Sequence, residues 1–224
     1  FSKTRRNVQP GVRRLIASIP QNARLLDLGC GNGNFALALA HAGFEGSYIG
    51  IDGSHAFIQE AQQAVALLKT TAEFRFQAAD LASQDWARAF QPESFDRITC
   101  FAVLQHLPGK ALHQAIFKHS ALLLRSGGQL MLSAWQVFQS PTLTARILPW
   151  ESADIDPKQV EPGDILLDWR AGPASEQPAC RYVHVFRSEE LLSLGKTAGL
   201  SLSSEFYSDG KNQSLALYQV WEKP

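Results

Sequence analysis

Apolar residues three and four apart, Val12, Leu15, Ile16 and Ile19, run up to Pro20, and this spacing predicts a short amphipathic helix within about residues 5–19. Beyond it, strand-length apolar runs alternate with helical patterns. "ARLLDLG" predicts a first strand and "GNFALALAHAG" a helix stopped by Gly43. "GSYIGID" predicts a second strand, and "SHAFIQEAQQAVALLKT" a helix with Ser54 as N-cap and a Phe57, Ala61, Leu68 stripe. "AEFRFQAAD" predicts a third strand with Phe74 and Phe76 outward, and the β-branched and aromatic "SFDRITCFAVL" a fourth. A helix from about Pro108 to Leu124, closed by Gly127 and Gly128, leads to a fifth strand in "GGQLMLSAW". From Gln136 to Cys180 the period is lost among six prolines and two tryptophans, which predicts an insertion with short elements of its own, a functional cover. The pattern resumes with a helix over "SEELLSLGKTAG", capped by Ser188 and stopped by Gly199. Two strands, "LSLSSEFYS" and "SLALYQVWE", then form an antiparallel hairpin through a tight "SDGKN" turn. The expected fold is α/β: a doubly wound, mostly parallel seven-stranded sheet with helices on both faces and an antiparallel C-terminal hairpin.

Composition leaves that picture intact. The 224 residues are 45% hydrophobic and 19% charged, which suits one domain over residues 1–224. No apolar run reaches membrane-spanning length, and "FSKTRRNVQP" lacks the apolar centre of a secretory signal, so a cytoplasmic location without membrane attachment is expected. Cys30, Cys100 and Cys180 stand far apart and form no CxxC pair. Formal net charge is zero, but Lys3, Arg5, Arg6, Arg13, Arg14 and Arg24 make the N-terminal segment basic, while Glu151, Asp154, Asp156, Glu161 and Asp164 make a later stretch acidic.

Candidate chemistry begins at "LLDLGCGNGNF", where Gly29, Gly31 and Gly33 fall in the first strand-to-helix turn, the place where doubly wound sheets bind ligands. Glycines alone are weak evidence. Asp27, however, would repel a pyrophosphate and suits a ligand carrying an amino group and a sulfonium, and Asp52 ends the second strand where an acid can accept both hydroxyls of a ribose. Together with Asp80 in "AADL", "FDRITCFAVLQHL" and "LLLRSGGQLMLS", these segments resemble the class I S-adenosylmethionine-dependent methyltransferases, over residues 24 to 134 and again through the final hairpin. The resemblance implies a Rossmann-like methyltransferase fold with S-adenosyl-L-methionine as cofactor. It implies a cradle at Gly29, Cys30 and Gly31, Asp27 at the amino end, Asp52 and Gly53 at the ribose, Asp80 and Leu81 at the adenine, and Phe101 near the methyl group.

For the acceptor, a carboxylate needs only orientation, and Arg grips one through two hydrogen bonds. "CRYVHVFRSEEL" places Arg181, Tyr182 and His184 before the last helix. With "AWQVFQ", "GDILLDW" and "YSDGKN" it is similar to segments of the tRNA wobble-uridine (carboxymethyluridine) methyltransferases, which include the methyltransferase domain of the animal AlkB-homologue tRNA enzyme. That resemblance implies methyl esterification of the carboxymethyl group on a tRNA uridine. Arg181, Tyr182 and His184 would line the acceptor, Arg181 and His184 in catalytic roles, with Trp135, Gln139, Trp169 and Asp209 around them. The family's turn reads closer to Asp-x-Gly-Asn-Trp, whereas Asp209 here is followed by Gly210, Lys211, Asn212 and Gln213. Implied partners are tRNA and a small activating protein. The alternative acceptor is a small-molecule carboxylate or hydroxyl. His106 in "LQHLPG" is a candidate base near the methyl group or a packing residue. His41, His55, His113 and His119 fall in helices, and no spacing of His, Cys or Asp predicts a metal.

Overall fold

The computed structural model describes residues 8–83, 85–169 and 179–224, with only the backbone of Trp169. The expected basic residues Lys3, Arg5 and Arg6, and residues 170–178 of the insertion, lie outside that description. Helix α1 (Pro10–Ile16) is shorter than expected, because Pro10 fits only the first turn and Gln9 is already extended. Strand β1 (Arg24–Leu28), helix α2 (Asn34–His41), β2 (Ser47–Asp52), α3 (His55–Ala66), β3 (Glu73–Ala78), β4 (Phe95–Phe101), α4 (Lys110–Leu123) and β5 (Leu124–Trp135) follow in the predicted alternation. Ser54 caps α3 by accepting the Phe57 amide at 3.3 Å, but α3 ends before Leu68.

The insertion holds a short helix α5 (Pro141–Thr144) and an antiparallel three-stranded sheet of β6 (Ile147–Leu148), β7 (Asp164–Trp169) and β8 (Ala179–His184). Its small core is Val137, Ile165, Leu167, Val183 and Val185. The chain closes with α6 (Ser188–Thr197), β9 (Ser201–Ser208) and β10 (Ala216–Glu222). Ser188 is not the cap of α6: Arg187 holds that position, and the Ser188 hydroxyl donates to Glu205 at 2.5 Å. Nor is the β9–β10 connection tight. It spans residues 209–215, with Asp209, Gly210 and Gln213 at positive φ.

The main sheet has the order β3-β2-β1-β4-β5-β10-β9, in which β10 runs antiparallel to β5 and β9 and the other neighbours are parallel. Strand order therefore reverses between β1 and β4, and the crevice at the carboxyl ends of these strands is the natural ligand position. The two faces of the sheet carry separate cores. Leu26, Leu28, Ile98, Cys100, Leu130 and Leu132 pack with Phe117 of α4 and Leu191 and Leu194 of α6. The opposite face carries Leu25, Tyr48, Phe76, Met131 and Tyr218 against α1, α2 and α3. Phe74 and Phe76 belong to this second layer and do not point outward: both rings lie within 5.5 Å of the Tyr48 ring, centroid to centroid. Because side chains alternate along each strand, Asp27, Thr99, Phe101, Ser133 and Trp135 fall on this same face as the strands reach their carboxyl ends.

Candidate active site

A cavity of about 440 Å³ opens at that point. Its floor comprises Asp27, Gly29, Cys30, Phe101, Ser133, Trp135 and Tyr218, and its cover is built from Val8, Gln9 and Val12 at α1 and from Ser140, Thr142, Leu143 and Arg146 of the insertion. Sequence reasoning missed Phe35, Arg146 and Tyr218. Tyr218 is hidden in an apolar strand pattern, whereas Ser140 followed by Pro141 was a readable helix start, Ser140 Oγ accepting the Leu143 amide at 3.3 Å.

The glycines of the first turn divide by role. A Cβ on Gly29 would lie 2.3 Å from Val103 Cγ2, and one on Gly33 would lie 2.9 Å from the Ala61 Cβ, so packing requires both. A Cβ on Gly31, at φ +53°, would meet nothing within 4 Å. Its backbone faces open space, as a surface that receives a ligand must.

Asp27 is buried to 3% exposure on the cavity floor. It accepts hydrogen bonds of 2.6 Å from the Tyr48 hydroxyl and 2.6 Å from the Thr99 hydroxyl. Burial pushes its pKa up from 3.8 to about 7; the two hydroxyls work against that rise and the nearby Asp52 adds to it. A buried carboxyl so poised is ready to ionise against a cationic ligand. Asp52 accepts the Gly31 amide at 2.9 Å on one oxygen and the Ser54 amide at 2.9 Å on the other, which leaves one lone pair on each for hydroxyl donors. Gly53 and Asp80 are exposed on the neighbouring loops, where Asp80 Oδ1 accepts the Ala82 amide. The Leu81 side chain is buried in the core beneath, which leaves its backbone for an adenine. Burial drives the Cys30 thiol pKa upward, keeping it protonated. Phe101 faces the cavity and meets the Phe35 ring edge-on at 5.2 Å.

The expected acceptor residues are not gathered there. Trp135 and Asp209 line the cavity, but both Asp209 oxygens are engaged, by the Gly11 amide at 2.9 Å and the Tyr218 hydroxyl at 2.6 Å. Asp209 therefore latches α1 to the last strand. Gln139 is exposed on an adjoining groove, and the side chain of Trp169 is outside the described residues. Arg181, Tyr182 and His184 lie on β8, which pairs with β7 and does not reach the cavity lining. The Tyr182 hydroxyl donates to Asp164 at 2.7 Å. His184 is held between Asp164, 2.6 Å from Nδ1, and Glu190, 2.9 Å from Nε2. Burial alone would weaken proton binding by this imidazole, but the hydrogen bonds and charges of Glu190 and Asp164 prevail and hold its pKa above 6.5. Both ring nitrogens of His184 are thus engaged by carboxylates and neither is turned to the cavity. His106 stands behind Trp135, edge-on at 5.3 Å, and its Nδ1 donates to the Tyr182 carbonyl at 3.1 Å. Burial lowers its pKa and the charge of Arg181 adds to the effect, while the Tyr182 carbonyl opposes it.

The profile of the family described as "Methyltransferase domain" matches residues 1–205. The chain belongs to this methyltransferase family. Asp27, Gly31 and Asp52 supply an anion, an open backbone and spare acceptors suited to S-adenosylmethionine, the methyl donor that the sequence resemblance implies. Among curated relatives, the methyltransferase is 35% identical over 112 residues to the ubiquinone biosynthesis O-methyltransferase of Xanthomonas campestris, a match covering 50% of this chain and 42% of the relative. The corresponding protein of Xanthomonas euvesicatoria is 34% identical over 112 residues, again 50% of this chain and 42% of the relative, so the chain spans less than half the length of these relatives. Solved structures establish the fold. An S-adenosylmethionine-dependent methyltransferase from Methanosarcina mazei superposes with a TM-score of 0.74 at 21% identity, over 97% of this chain and 98% of that one. The magnesium protoporphyrin IX methyltransferase of Synechocystis, solved with bound SAH, gives 0.62 at 21% identity, over 96% and 80%. Among the described residues no helix is long and apolar enough to cross a membrane.

Proposed function

We propose that the methyltransferase transfers the methyl group of S-adenosylmethionine to an oxygen of a small acidic organic molecule. The observation that carries this reading is the covered cavity: rings of Phe35, Phe101, Trp135 and Tyr218 around space for one small molecule, with Arg146 as the one basic side chain among its described lining residues. The O-methyltransferase names of the curated relatives support an oxygen acceptor and favour a small molecule over the tRNA uridine of the sequence expectation.

When bound, S-adenosylmethionine would supply an electrophilic methyl on a sulfonium, which the acceptor oxygen takes in line as the sulfur–methyl bond breaks and S-adenosylhomocysteine leaves. The residues of the chain position and dehydrate. Asp27 offers its carboxylate to the ammonium group, and Asp52 keeps a lone pair on each oxygen for the ribose hydroxyls. The aromatic walls exclude water, which strengthens every charge interaction inside. Apart from Asp27, which the ammonium group engages, none of the described lining residues is a ready base. Both Asp209 oxygens accept hydrogen bonds, and burial chiefly, with Asp209 beside it, raises the Tyr218 phenol pKa far above neutrality. An acceptor that arrives already ionised needs no base, and the Arg146 guanidinium orients it.

The test is incubation with radiolabelled S-adenosylmethionine and, separately, hydroxybenzoates, short-chain carboxylic acids and bulk tRNA. Label is expected in an organic acid or acidic phenol. Label in a tRNA nucleoside and in no small acid would overturn the proposal and restore the uridine reading.

A further inference from the structure

Outside the methyl-transfer cavity, α4, β8 and α6 bring three ligand-bearing side chains together. One ligand atom each from His113, His184 and Glu190 lies within 4.8 Å of the others. None of the three lines the cavity. We propose that His113, His184 and Glu190 bind one divalent cation of the zinc class, which clips the inserted sheet to the helices of the core.

Three observations support the site. First, the donor set is two imidazoles and a carboxylate, the borderline set that zinc takes with a fourth position left to water. Second, the outer nitrogens are already engaged by acceptors, as the imidazoles of metal sites are. His113 Nε2 must carry its proton, because it donates to the Leu107 carbonyl at 2.7 Å, and the Asp164 carboxylate lies 2.6 Å from His184 Nδ1. Third, His113 is fully buried, yet its Nδ1 has no hydrogen-bond partner. A bare lone pair in the interior is costly when left unused, and a cation beside it would use it.

The surroundings fit a small ion. The rings of His113 and His184 are 5.1 Å apart, and both rest edge-on against Phe186, at 4.7 and 4.5 Å. Glu190 presents both oxygens to His184 Nε2, at 2.9 and 3.1 Å, and so can bind through either or both. Its side chain is 29% exposed, which gives an ion a route in from solvent. In the metal-free chain a proton on His184 Nε2 holds the carboxylate. A metal ion takes the lone pair freed when that proton leaves to solvent, and Glu190 turns from hydrogen-bond acceptor to ligand. No metal-ligand spacing is visible along the chain, because His113 lies on α4, far from the "HVFRSEE" segment.

Co2+ is the probe, since its visible absorption reports coordination by nitrogen and oxygen. The full chain, stripped with chelator, is titrated with Co2+ at neutral pH while its melting temperature is followed. One Co2+ per chain, with absorption bands and a raised melting temperature, is expected. His113→Gln and Glu190→Gln should each weaken uptake by at least about tenfold. Unchanged binding of S-adenosylhomocysteine by these variants would show that they fold. No uptake by the wild-type chain overturns the proposal in favour of a purely protonic His184 pair. Uptake undiminished in both variants also overturns it, because the ion then sits elsewhere. Neither result bears on the methyl acceptor.

Discussion

Replacing Asp27 with Asn should strengthen the empty protein at high pH while weakening its hold on the cofactor. The wild-type carboxyl titrates at about 7 when folded, against an ordinary 3.8, because burial opposes its charge. An acid with a raised folded value binds its proton more tightly in the folded chain than in the unfolded one. Stability therefore falls as pH rises between 3.8 and about 7 and stays reduced above that. At 1.36 kcal/mol per pH unit the full cost of the ionised carboxylate is about 4 kcal/mol. The Asn amide fits the Tyr48 and Thr99 hydroxyls less well than a carboxylate, which returns about 1–2 kcal/mol of that cost. Asp27→Asn should accordingly be more stable than wild type by about 2–3 kcal/mol at pH 8.5, and equal to it or weaker at pH 5. Urea denaturation of both proteins at the two pH values measures the difference, and all other titrations cancel in the comparison. Calorimetric titration with S-adenosylhomocysteine at pH 8.5 should show the variant losing most of its affinity, since the ligand ammonium no longer meets an anion. A stability difference of the same sign and size at both pH values would refute the reasoning, as would undiminished ligand affinity.

Tyr48→Phe removes one of the donors that favour ionised Asp27, so the pH midpoint for cofactor binding should move upward, read as the pH dependence of S-adenosylhomocysteine affinity. A Cβ at Gly11 would lie 2.3 Å from a ring carbon of Tyr218; Gly11→Ala should shift α1 off the cavity and cost about 1–3 kcal/mol in denaturation experiments. Gly31→Ala and Gly29→Ala should separate two functions of one turn: the first, with open space around its Cβ, loses cofactor affinity and costs only the strain of its left-handed backbone, about 1–2 kcal/mol, whereas the second adds to that strain a clash with Val103. Arg146→Ala should raise KM for acidic acceptors roughly tenfold to a hundredfold, the loss of a hydrogen-bonded charge, and leave the affinity for S-adenosylhomocysteine near wild type.

What the sequence disclosed is what local rules govern. The alternation of strands and helices, the Ser54 cap and the glycine turn each depend on residues a few positions apart, and each is read without knowing the fold. Asp27 and Asp52 were legible because strand ends converge on one crevice in any doubly wound sheet. His184 was not, because its environment is set by Asp164 across a strand pair and by Glu190 on the next helix, and no single-sequence pattern reports that pairing. The mixture of Arg, Tyr and His on β8 signalled a polar interior network, which resembles a catalytic cluster until its partners are seen. Asp209 was placed near the cavity, but its role as a latch depends on an amide 198 residues away. Arg146 escaped notice for the opposite reason: its segment has no period, and its position follows from how the insertion folds over the sheet.

The bond between the Gly11 amide and Asp209 joins the two flanks of one wall across nearly the whole length of the chain. The glycine turn, β1 and β2 are made early and fold from nearby residues, but the chamber they serve stays open until β10 arrives to support Tyr218 and hold α1. During synthesis, competence to hold the methyl donor thus arrives only once β10 has followed the glycine turn, and a nascent chain halted before residue 209 would carry the whole glycine motif without a closed site.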